Sequence, residues 1–210
     1  MAERAPTFQY STLAQQHEAD ALGMWVFLAT ELLFFGALIA GYFAYRVTYG
    51  NAFIAAARHT KVVLGTVNTA VLLTSSACMA MAVHSTEERA RRSAALWFAA
   101  TALLGLLFLA IKSYEYFLEY REQLVPALDF ATARYGGVTQ LFFIFYFVAT
   151  GLHAAHLTIG VAMIGTLAVL AASNRLPSSE PVRMIGLYWH FVDMVWIFLF
   201  PLIYLAGRNG

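Results

Sequence analysis

The chain has 210 residues, of which 60% are hydrophobic, 15% aromatic and 12% charged, whereas a soluble domain carries about twice that charge. This composition excludes a soluble domain and points to a single integral membrane domain. Thirteen Lys and Arg against 12 Asp and Glu give no basic footprint for nucleic acid, and the one cysteine, Cys78, excludes an intrachain disulfide and a two-cysteine metal site.

Residues 1–20 carry Glu3, Arg4, Glu18 and Asp20 and lack the basic start and short apolar core of a cleaved signal, so they read as a retained polar arm. Residues 21–210 read as one transmembrane domain. Apolar segments at 21–46, 62–84, 93–121, 138–173 and 184–206 are each long enough to cross a hydrocarbon core of about 30 Å as a helix. The expected fold is all-α, an integral membrane bundle of five transmembrane helices.

The first segment is apolar from Ala21 to Tyr45 except for Glu31, and Gly50 to Thr60 is expected to be a short loop. The second has Asn68 as its strongest polar mark, and the charged run His84 to Arg92 reads as a water-facing connection. The third continues past Ile111 through Lys112, Glu115, Glu119 and Arg121, a length of about 45 Å as a helix. That exceeds the hydrocarbon thickness, so Lys112, Glu115 and Glu119 are expected to form an interfacial charge ladder that snorkels to the headgroups. Pro126 to Gly137 reads as a loop holding Asp129 and Arg134. Forty residues from Tyr135 to Asn174 then pass without Asp, Glu, Lys or Arg, and no proline interrupts them, which predicts one long helix. In the last segment Pro201 removes a helical donor and predicts a kink.

The charge rule does not orient the chain. With the amino terminus inside, the inner segments hold Arg4, Arg89, Arg91, Arg92, Arg175 and Arg183, and the outer ones hold Arg46, Arg58, Lys61, Arg121, Arg134 and Arg208, six against six.

Ionisable groups at depth mark the candidate sites. Glu31 lies about 15 Å into its helix, where a lone carboxylate is costly. It is either a proton-exchanging or headgroup-binding acid, or a structural contact between helices. His153 and His156, i and i+3, share a helix face; as metal ligands they would need Glu31, His190 or Asp193 as further donors, and otherwise they serve interhelical hydrogen bonds or a lipid phosphate. Trp189, Asp193 and Trp196 form one stripe at i, i+4, i+7, expected to face other helices, with His190 beside it. Asn68, Glu115, Trp189, His190 and Asp193 are expected to make interhelical polar contacts.

Counting tests the redox chemistries. A haem-copper catalytic subunit needs about six histidines inside its helices; this chain has six in all, with His17, His59 and His84 in the arm, a loop and a helix end. No Walker loop, triad spacing or C-x-x-C-H attachment occurs. No catalytic or metal residue is assigned, and no cofactor is expected in this chain.

Tyr-Trp-His-Phe-Val-Asp-Met-Val-Trp, Tyr188 to Trp196, resembles the last-helix signature of subunit III of the haem-copper terminal oxidases. Thr150-Gly-Leu-His-Ala-Ala-His-Leu-Thr-Ile-Gly160 is similar to the family's preceding helix, and Glu31 in Ala-Thr-Glu-Leu-Leu-Phe-Phe falls where the family carries a membrane glutamate. Asn68-Thr69 and Tyr114-Glu115-Tyr116 match in the same order, so the resemblance runs from Leu22 to Leu205. It implies a non-catalytic subunit of a proton-pumping cytochrome c oxidase of aa3 type in a bacterial inner membrane, with the amino terminus cytoplasmic and the carboxyl terminus outside. Haem and copper would sit in partner subunits. The implied partners are subunit I, subunit II, a small subunit IV, membrane lipids including bound phospholipid, and a quinol-oxidising complex in a supercomplex. The implied roles are stabilising the catalytic subunit, binding lipid and supporting proton uptake, with Glu31, His153 and His156 near lipid or the partner. The seven-helix members have two further amino-terminal helices that wall a lipid cleft and are absent here. The alternatives are subunit III of a quinol oxidase, an accessory chain of a nitric oxide reductase, or, in another class, a small proton or solute transporter.

Overall fold

A segment that lies in hydrocarbon has no water to satisfy its amides, so each long apolar run closes its hydrogen bonds internally as a helix. The computed structural model describes residues 12–126, 130–131 and 135–206, and among them every long element is helical. Arg4, Asp129, Arg134 and Arg208 lie outside the described residues, as does most of the polar arm. The helices are α1 Leu13–Ala57, α2 Val62–Glu87, α3 Arg91–Arg121, α4 Gly137–Ala172 and α5 Ser179–Phe200. All five are long and apolar enough to cross a membrane.

α1 differs from expectation at both ends. It starts at Leu13, with the Thr12 hydroxyl accepting from the Gln15 N–H, and it continues to Ala57 through residues 50–57, which were expected to be a loop. The helix bends rather than stops at Gly50, whose backbone (φ 10°, ψ −90°) leaves the helical range. Burial explains the continuation, because Phe53, Ala56 and Ala57 beyond the bend lie in the core. α4 is one unbroken helix, consistent with its lack of proline. At Pro201 the chain widens into a single π-helical turn, Pro201–Leu205, which accommodates the missing donor where a kink was expected.

α2 packs on α3 and α5, α3 also on α4, and α4 on α5, while α1 lies along α4 and touches α5 more lightly. α2, α3 and α4 end alike, with Arg89, Gln123 and Asn174 in the left-handed region (φ 61°, 56° and 58°). The next amide in each case closes back on the helix, Ala90 N–H to Ser85 O, Leu124 N–H to Glu119 O and Arg175 N–H to Leu170 O, so the last carbonyls are satisfied without glycine.

Polarity is distributed as in a lipid-soluble protein. Trp25, Leu33, Val47, Leu96, Val169 and Phe198 point outward, whereas Asn68, Lys112, Glu115, Glu119, His153 and Asp193 are buried inside the bundle. The connections alternate between two ends. At the amino-terminal end Arg91 donates to the Asn174 carbonyl at 3.2 Å, and at the other end Lys61 pairs with Glu122 at 2.6 Å.

Candidate functional site

Two polar constellations occupy the bundle, one at its surface and one at its centre. The surface one joins α1 to α4. Leu28, Glu31, Phe35 and Tyr42 recur at helical spacing and form the face of α1 that meets α4. Glu31 Oε2 lies 3.0 Å from His156 Nε2, and each side chain keeps 19% of its surface exposed. The other ring nitrogen, Nδ1, stands 2.9 Å from the Leu152 carbonyl. A carbonyl only accepts, so Nδ1 carries a hydrogen and donates it. Nε2 then faces the Glu31 carboxyl at ion-pair distance. A partner of opposite potential charge is what makes an acid tolerable at this depth. Phe35 packs edge-on against the imidazole at 5.5 Å, and Tyr188 of α5 donates to the His156 carbonyl at 2.9 Å.

His153 does not join this pair. It is only 1% exposed, turned inward between Phe108 and Trp196, with neither ring nitrogen hydrogen-bonded among the described residues. The expectation that it lies near lipid is corrected: α3 and α5 close over the His153 side of the shared face, while α1 meets its His156 side.

The central constellation was expected at the membrane interface, and this too is corrected. Lys112, Glu115 and Glu119 are 2%, 0% and 0% exposed. Lys112 Nζ donates to Glu115 Oε2 at 3.1 Å, to Tyr146 Oη at 2.8 Å and to Tyr204 Oη at 2.6 Å. Tyr204 in turn donates to Glu115 Oε1 at 2.8 Å. The ammonium thus spends all three of its hydrogens and both Glu115 oxygens accept, which closes an ion pair that ties α3 to α4 and to the π-turn. The ring faces of Tyr146 and Tyr204 also lie against the ammonium, with centroids at 4.5 and 5.3 Å.

The remaining predicted polar contacts divide. Glu115 makes one, and His190 makes another, its Nδ1 lying 2.7 Å from Ser76 Oγ on α2. Among the described residues Asn68 and Trp189 are buried with no hydrogen-bond partner on their side chains, so the interhelical contacts expected of them are not formed there; Asp193 faces Ser76 on α2, and it does not pair with His190. The stripe of Trp189, Asp193 and Trp196 is buried as expected, with Trp196 donating to Thr69 Oγ1 at 3.1 Å. Sequence reasoning missed Tyr146, Tyr204 and Ser76 as partners. Among the described residues no group of three or more His, Cys, Asp or Glu side chains is placed to hold a metal ion.

The family profile of cytochrome c oxidase subunit III matches residues 6–208. Cytochrome c oxidase subunit 3 of Corynebacterium diphtheriae is 35% identical over 88% of this chain and 86% of its own length. The protein of the same name from Bacillus sp. (strain PS3) is 31% identical over 100% and 96%, and quinol oxidase subunit 3 of Bacillus subtilis is 32% identical over 91% and 89%. Five bilayer-length helices and a match that spans them all lead to one assignment: the chain belongs to the cytochrome c oxidase subunit III family and is a multi-pass membrane subunit of a haem-copper oxidase.

Proposed function

We propose that the chain is the non-redox subunit III of a cytochrome c oxidase in a bacterial cell membrane, with its amino terminus in the cytoplasm. It packs chiefly against subunit I, with subunit II and a small subunit IV in the same complex; haem and copper belong to those partners, and phospholipid binds this chain. The observation that carries the reading is the Glu31–His156 pair, the polar, one-fifth-exposed spot at mid-depth on the α1–α4 face. A carboxyl and an imidazole held together there can receive a lipid phosphate or a polar group of the partner. Family membership gives no support to the small-transporter alternative. Quinol oxidase subunits are similar to the chain at comparable identity, so the electron donor is tested directly. Gentle detergent extraction, identification of the co-purifying chains and a visible spectrum should reveal a copper-binding subunit II and a-type haem; a complex that oxidises only quinol would replace the cytochrome c reading.

A second test addresses the site. Glu31→Ala should leave the oxidase assembled but inactivating faster during turnover and with less bound phospholipid. His156→Ala should do the same, and the double variant should be no worse than either single one, because both remove one shared interaction. Additive losses, or unchanged inactivation and lipid content, would overturn the role.

A further inference from the structure

Glu119 is left over when the charges at the centre of the bundle are matched. Lys112 has no hydrogen to spare, and Glu115 already balances its charge with both oxygens occupied. Glu119 lies one helical turn further along α3, fully buried, and among the described residues its carboxyl meets no cation at hydrogen-bond distance and no donor beyond the Tyr146 hydroxyl. The groups that face it are Lys112, Glu115 and Tyr116 from its own helix, Tyr146 from α4, Tyr204 from the π-turn and Lys61 from the α1–α2 connection. His153 stands beyond Lys112. Lys61 is itself paired with Glu122. An ionised Glu119 would therefore be a second negative charge in a buried interior where Lys112, the one buried lysine or arginine among the described residues, is already spent.

We infer that Glu119 is a proton-binding site, loaded as a neutral carboxylic acid in the resting protein and exchanging with the membrane face opposite the amino terminus. The exit lies close by. The Lys61–Glu122 pair is one-third exposed and borders an open cleft of about 470 Å³ lined by His59, Thr60 and Leu118. On unloading, the Glu119 O–H bond breaks and the proton passes to water in that cleft; the carboxylate left behind faces Lys112 and Lys61, and the reverse step reloads it. Glu31 and His156 play no part, since they pair with each other where α1 meets α4 and neither is among the groups that face Glu119. The inference rests on this chain's own charges and not on which oxidase it serves.

The test is infrared spectroscopy of the detergent-extracted protein with whatever subunits accompany it, near neutral pH. Glu119→Gln should assemble with wild-type yield and thermal midpoint, since one neutral group replaces another, and should lose one component of the carboxylic C=O stretching region. That component should shift to lower frequency in D2O, and Lys61→Met should change its exchange rate severalfold without removing it. A spectrum unaltered by Glu119→Gln would mean that Glu119 is ionised and would overturn the site. An exchange rate indifferent to Lys61→Met would overturn the route. Should the amide disturb packing, Glu119→Met serves in its place; if neither variant assembles, a negative charge is required at this position and the inference falls.

Discussion

Lys112→Met should lower the stability of the assembled protein by about 3–5 kcal/mol, the range for removing one member of a buried ion pair. The cost arises less from the lost attraction than from what remains. Glu115 would keep its charge with only the Tyr204 hydroxyl to accept from, and Tyr146 would lose its donor. Glu115→Gln should be comparably harmful, because it strands the ammonium among two phenols and a neutral amide. The double variant Lys112→Met/Glu115→Gln should recover much of the loss, since replacing both partners of a buried pair with neutral groups of similar shape is often close to neutral. Thermal midpoints of the purified complex and the yield of this chain within it measure all three. Additive destabilisation in the double variant would mean that the pair is not the unit of stability. The contrast with Glu119→Gln is diagnostic: four residues separate the two glutamates on one helix, yet only Glu115 should depend on its charge.

How these residues came to be misplaced in the sequence shows what patterning carries and what it does not. The five helices were legible because an apolar run of bilayer length has one stable backbone solution. The bend at Gly50 was not, because Arg58 and His59 made the whole of residues 50–60 look like a loop, while Phe53, Ala56 and Ala57 were drawn into the core by helices distant in sequence. The charges of α3 were assigned to the interface from helix length alone. A better signal was present: the buried positions Phe98, Thr101, Ala102, Gly105, Phe108, Lys112, Glu115 and Glu119 continue one stripe at helical spacing, so the charged end faces where the apolar part faces. What no spacing could supply was the pair of tyrosines that receives Lys112, one 34 and the other 92 residues away. Glu31 and His156 were singled out separately, and their pairing needed the packing of α1 on α4.

The other large effect is expected at Trp189. Its indole lies in a slot whose walls are Gly105 on α3 and Gly160 on α4. A methyl group at Gly160 would stand 2.8 Å from Trp189 Cε3, and one at Gly105 would stand 2.9 Å from Cη2 and 2.6 Å from a Val161 methyl. The Trp189 N–H has no hydrogen-bond partner among the described residues, so the ring holds α3, α4 and α5 together by contact and shape. Trp→Ala costs about 3–5 kcal/mol in a water-soluble core, and in lipid, where association rests on packing more than on transfer from water, the lower end, about 3 kcal/mol, is expected. Trp189→Phe should cost far less, having no hydrogen bond to lose, whereas Trp196→Phe forfeits its bond to Thr69. Gly160→Ala should cost about 1–3 kcal/mol by overpacking, and Trp189→Phe should relieve part of that loss because the smaller ring vacates the space the methyl needs. Thermal midpoints of the four single variants and of Gly160→Ala/Trp189→Phe in the detergent-solubilised complex decide the matter. If Trp189→Phe proves as damaging as Trp189→Ala, the slot requires the full outline of the indole, and a smaller ring does not hold the three helices together.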